Sequence, residues 1–69
     1  MWIKVSDKEL VNANQLGCIV YKYNEVVSTI DSNKLVLYKG FYAREVYDKI
    51  MEAIENNKSM VDISTYSRF

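Results

Sequence analysis

At Gly40 the spacing of apolar residues changes. Ahead of it they come in short β-branched and aromatic runs, and behind it they recur at helical intervals. One switch of that kind restricts a chain of 69 residues to an α+β fold. On a wheel of 100° steps, Tyr42, Ala43, Val46, Tyr47, Ile50, Met51, Ala53 and Ile54 fill one half, and Arg44, Glu45, Asp48, Lys49, Glu52 and Glu55 fill the other. The spacing predicts a helix over 41–57, with Asn56-Asn57 as its stop. Residues 58–69 then read as an edge strand at Met60–Ile63 followed by a polar tail.

Residues 1–39 read as a β-meander. Met1, Ile3 and Val5 alternate with Trp2 and Lys4, and Leu10-Val11 form a brief second segment. Strands then follow at Gly17–Tyr23, Val26–Asp31 and Lys34–Lys39, joined by two-residue turns at Asn24-Glu25 and Ser32-Asn33. The expectation is a single domain over 1–69: an antiparallel meander of four to five strands packed on one C-terminal amphipathic helix.

Those turns set a register in which Tyr21 opposes Ser28 and Ser28 opposes Leu37. One sheet face then carries Ile19, Tyr21, Tyr23, Val26, Ile30, Leu35 and Leu37, which suits it to the helix. The other carries Cys18, Val20, Val27, Thr29, Val36 and Tyr38, with Lys22, Asp31 and Lys34 at its margins. A solvated face would alternate to polar residues, whereas this one is mostly β-branched. The helix also has apolar surface to spare, about 180° of it where a stripe of a little over 100° seats a helix on a core. Val20, Val27, Val36, Tyr47 and Met51 are therefore candidate interface residues. Two arrangements would cover the surplus: the N-terminal segment wraps over the second sheet face, or copies of the chain meet there.

Size sharpens that choice, because a chain this short buries only about 60% of the surface its unfolded form exposes and usually needs a staple. One Cys excludes a disulfide framework, and a lone Cys without any His excludes a structural zinc site. Self-association into a homo-oligomer is the staple left. Nine basic and nine acidic side chains cancel, so the chain has neither the positive footprint of a nucleic-acid binder nor the negative surface of a DNA mimic. No apolar run spans a bilayer and no signal segment is visible, so no membrane partner is expected and the expected location is the cytoplasm.

Catalysis lacks its usual residues. No His is present, Ser6 and Ser28 have no activating partner, and Cys18 reads as a small core hydrophobe. Glu45, Asp48, Glu52 and Glu55 read as a solvated helix face with Glu45 and Lys49 as an i,i+4 pair. The chain is expected to be no enzyme and to carry neither metal nor cofactor.

Two segments carry a binding argument. In Tyr38, Lys39, Gly40, Phe41, Tyr42 and Arg44, a strand turns through Gly40 into a helix whose first N–H groups lack intrahelical partners. Cations and rings beside such a positive pole suit a phosphate with a base stacked on an aromatic ring. The plainer reading has Gly40 making the turn, Phe41 and Tyr42 in the core and Arg44 in solvent. The tail residues Tyr66, Arg68 and Phe69 are the second candidate, since these types are enriched in binding hot spots. Their burial decides whether the tail docks.

Met1-Trp2-Ile3, Asp7, Leu10-Val11-Asn12-Ala13 and the strand from Ile19 together resemble a group of short bacterial and phage proteins. These open with a strand, a D-G-x-L/I-V-N turn and a β-meander and close with one helix; Lys8 stands where that group often has Gly. Asn, Ile, Lys and Tyr supply 25 of the 69 residues, the bias of AT-rich codons, which agrees with such a source. The resemblance implies the fold and, by analogy with phage counter-defence proteins, a function. The leading expectation is a self-associating protein that sequesters a small phosphorylated nucleotide signal between subunits. The alternative is an inhibitor of the anti-CRISPR kind that masks a host defence protein by direct contact.

Overall fold

A computed structural model describes residues 1–69. In chain order the elements are β1 (Trp2–Ser6), β2 (Glu9–Asn12), a 3-10 turn (Ala13–Gln15), β3 (Val20–Lys22), β4 (Glu25–Ile30), β5 (Asn33–Lys39), α1 (Ala43–Glu55) and β6 (Met60–Asp62). The fold is α+β, as the change of period requires. Its six strands divide into two three-stranded sheets rather than one meander. Strands β3, β4 and β5 form the expected antiparallel meander. In the other sheet β1 lies between β2, to which it is antiparallel, and β6, to which it is parallel.

That parallel pairing aligns Ile3 with Val61 and Lys4 with Asp62. It extends at both ends, with Trp2 N–H donating to the Ser59 carbonyl at 2.9 Å and Ile63 N–H to the Lys4 carbonyl at 3.0 Å. The alternation read at Met1–Val5 now has its reason. Ile3 and Val5 point into the core, while Trp2, Lys4, Leu10 and Met60 share the outward face.

Both sheets close on α1. Ile3, Val5, Val61 and Ile63 from the first sheet, Val26, Leu37 and Tyr38 from the second, and Ala43, Val46, Ile50 and Ala53 of the helix form one buried cluster. The N-terminal segment thus packs on the helix side of the meander and does not wrap its second face, where Val20 and Val36 stay exposed.

Both hairpin turns fall one residue earlier than predicted. The first is Tyr23-Asn24, which sets Lys22 opposite Glu25, and Glu25 in turn opposite Lys39, a row of alternating charge that the predicted register would have broken. The second is Asp31-Ser32, with φ of 51° and 67°. Two positive φ values in succession are the mark of a type I′ turn, whose twist matches that of the strands it joins. This register places Val20, Val27 and Val36 side by side across all three strands.

A bulge in β5 makes the larger correction. Val27 pairs with Val36, but Val26 pairs with Tyr38, so Leu37 is an extra residue and inward-outward alternation reverses beyond it. Tyr38, predicted for the outer face, is wholly buried instead. Cys18 keeps the outer face that the register gave it but is exposed there, not the small core hydrophobe its type suggests.

The helix spans Ala43–Glu55, two residues shorter at each end than predicted. Its stop is the Asn56-Asn57 pair, through a Schellman closure. Asn57 takes φ 53°, its N–H donates to the Ile54 carbonyl at 3.2 Å, and Lys58 N–H donates to that of Ala53 at 2.9 Å. No helix is long and apolar enough to cross a membrane.

Candidate functional site

The strand–helix corner and the tail, the two binding segments of the sequence, form one structure. The phenol of Tyr38 is its centre. It donates to the Ser67 carbonyl at 2.5 Å and accepts the Tyr42 N–H at 3.2 Å, so a single hydroxyl ties the end of β5 to the helix start and to the tail. Gly40 has to be glycine here because a Cβ would lie 2.8 Å from the Ser67 carbonyl oxygen and from Tyr38 Cζ.

Arg68 completes the clasp. One guanidinium nitrogen donates to the Val5 carbonyl at 2.9 Å and to the Leu37 carbonyl at 2.7 Å, with the group 5.3 Å from the centre of the Tyr38 ring. Val5 ends the buried part of one sheet and Leu37 is the bulge residue of the other. The arginine therefore bridges the two sheets by charge-assisted hydrogen bonds. Phe69 N–H donates to the Lys39 carbonyl at 3.0 Å, extending the tail along β5.

Above the clasp sits an aromatic corner. Phe41 and Phe69 meet edge to face with centroids 5.0 Å apart, and 82% and 63% of their surface is exposed. Tyr66 stands edge-on to Tyr38 at 6.4 Å, tilts against Tyr42 at 6.0 Å and carries the Lys49 ammonium 5.5 Å above its ring. Such ring pairs contribute about 0.5–1.5 kcal/mol each beyond the area they bury, so the corner is held in shape before anything binds it.

The predicted ligand residues thus divide. Tyr38 and Gly40 are buried and close the corner from within, Arg68 is exposed with its guanidinium committed to the Val5 and Leu37 carbonyls, and Tyr66 is half-buried against Tyr38 and Tyr42. Phe41, Tyr42 and Phe69 are presented outward, with Lys39 exposed beside them. Arg44 is exposed and paired with Asp48 at 3.3 Å, its guanidinium 5.9 Å from the Tyr21 ring centre. A phosphate at this helix start would compete with Asp48 for Arg44 and would meet Glu45 in the first turn. Most of the corner projects: Lys39, Phe41, Tyr42, Arg44 and Phe69 line none of the four surface grooves, and Tyr66 alone borders one, between α1 and β6.

Of the predicted interface residues, Val20 and Val36 are open and Val27, between them, is buried by its neighbours. Tyr47 and Met51 are half-buried, Tyr47 against the Tyr21 ring at 6.0 Å.

The sequence reading missed a groove of about 480 Å³ between α1 and β6, with Glu45, Asp48, Glu52 and Asp62 on its walls and Ala53, Met60 and Val61 between them. Asp62 accepts from the Ser64 hydroxyl at 2.5 Å and the Ser64 N–H at 2.8 Å. Those two bonds hold its carboxyl below the ordinary 3.8 against desolvation, with Lys4 and Lys49 adding lesser pulls in the same direction as the bonds. The D-x-S spacing was the available signal for that turn. Comparison with protein-family profiles, with curated proteins and with solved structures finds no match for this chain.

Proposed function

We propose that the chain is a non-enzymatic binding protein that acts by stoichiometric contact, inserting its aromatic corner into a groove on a partner protein. The exposed Phe41–Phe69 pair is the observation that carries this reading. Two interlocked rings on a convex, internally clasped corner form a ready-made anchor, and little ordering entropy remains to be lost when they bind. By analogy with phage counter-defence proteins, the partner class is a host defence protein masked by direct contact.

The test begins with capture from a bacterial extract by the wild-type chain. The captured protein is then purified and titrated with wild type and with Phe41→Ala. A hot-spot ring contributes at least about 2 kcal/mol, so Phe41→Ala should weaken binding by roughly thirtyfold at unchanged stoichiometry. Equal binding by the two chains overturns the reading.

A second reading, sequestration of a small phosphorylated nucleotide between subunits, is favoured by Lys39 lying exposed on the chain beside the open rings. It requires another copy to enclose the corner, since one copy leaves it projecting. Calorimetric titration with cyclic and ADP-ribose-type nucleotides tests it. No heat from a folded protein removes it.

A further inference from the structure

The molecule is electrically two-sided. On the outer face of the meander, Lys22, Glu25 and Lys39 form one row, Val20, Val27 and Val36 the next, and Thr29 with Lys34 a third. Three lysines against one carboxylate surround an apolar stripe. Helix α1 packs on the opposite face of this sheet, where Tyr21 meets Tyr47. Its solvent side and the adjoining groove carry five carboxylates, Glu45, Asp48, Glu52, Glu55 and Asp62, against Arg44, Lys49 and Lys58, around an apolar floor. An excess of two positive charges on one side answers an excess of two negative charges on the other, in a chain whose net charge is zero.

We infer that the valine-striped sheet face docks a second copy of this chain, received head to tail on that copy's acidic helix groove. Charge selects this occupant. Two sheet faces laid together would bring their lysine excess into opposition, whereas sheet on groove pairs opposite potentials over apolar surface. Zero net charge removes the long-range repulsion that keeps copies apart. A standard interface buries about 800 Å² per partner, roughly a sixth of the 4648 Å² surface. The molecule measures 26 × 25 × 24 Å, so that area is the whole of one side; the valine stripe with its flanking lysines covers only part of a side, and the contact is a weak one. Because donor and acceptor surfaces differ, assembly is open-ended rather than a closed pair.

Sedimentation velocity over a concentration series tests this at about 0.1 M and about 1 M NaCl, where the screening length falls from ~10 to ~3 Å. Average mass should rise with concentration at low salt and return to that of one chain at high salt. Lys22→Glu/Lys34→Glu and Glu45→Lys/Glu52→Lys, each checked for native circular dichroism, should each weaken association at least tenfold. An equimolar mixture of the two should associate again, because each variant keeps one unaltered face. Alkylation of Cys18, which lines the valine face, should slow severalfold as wild-type association proceeds.

Single-chain mass at every concentration in low salt overturns the inference. So does association that neither double variant weakens, or a mixture that fails to associate. Phe41→Ala lies outside both faces and should leave the mass unchanged, so the aromatic-corner reading stands or falls separately.

Discussion

Replacing Tyr38 by Phe removes one oxygen atom from a wholly buried side chain and leaves its ring in place. Two hydrogen bonds go with it, one to the Ser67 carbonyl and one from the Tyr42 N–H. Each contributes about 1 kcal/mol net, so the loss is about 2 kcal/mol. For a domain of this size a change of 1 kcal/mol moves the melting temperature by roughly 4–8 °C, which gives a fall of roughly 8–16 °C. A cycle with a chain lacking residues 67–69 isolates the tail's share. There the Ser67 acceptor is already gone, and the same substitution should cost only about 1 kcal/mol, a coupling of about 1 kcal/mol. Urea denaturation followed by circular dichroism measures all four chains. A cost below about 0.5 kcal/mol in the full chain, or the same cost in both backgrounds, refutes the assignment of Tyr38 as the tie between corner and tail.

Ser32→Gly should stabilise by about 1 kcal/mol, because a residue at φ 67° loses its steric penalty when it has no Cβ; a lowered urea midpoint would contradict the type I′ turn. Gly40→Ala should destabilise by about 1–3 kcal/mol in thermal melts, since the new methyl has to displace either the Tyr38 ring or the Ser67 carbonyl. Asp62, with its folded-state pKa below 3.8, stabilises the fold above that pH, and its contribution fades as pH falls below it towards the folded value. Asp62→Asn should accordingly flatten the acid side of the stability profile while leaving its slope near neutrality unchanged, as urea midpoints across the pH range would show.

The helix was legible because its signal is local: a long run at one period, with an Asn pair able to accept positive φ at its end. Strand existence was legible for the same reason. Pairing was not. Tyr23-Asn24 and Asn24-Glu25 are both acceptable turns, and only the cross-strand alignment of Lys22, Glu25 and Lys39 separates them. The bulge at Leu37 leaves no mark in sequence, because Leu37 and Tyr38 are both apolar and either could face inward. For that reason the sequence alone puts Tyr38 on the outer face of the sheet, where the structure buries it. The tail was a fair suspicion from its residue types, but the carbonyls that receive Arg68 lie 63 and 31 positions away, and backbone acceptors carry no sequence signature.

The parallel seam between β1 and β6 has a consequence for the timing of biosynthesis. β1 is complete at Ser6, but its neighbour begins only at Met60. At ~5–20 residues per second, translation leaves a gap of roughly 3–11 s between the two. Throughout that interval Ile3 and Val5 have no partner on one flank, so the nascent polypeptide cannot finish folding while it is being made. A chain broken off before Met60 would lack β6 and leave that flank of β1 unpaired, a product open to proteases and chaperones rather than a smaller working version of the protein.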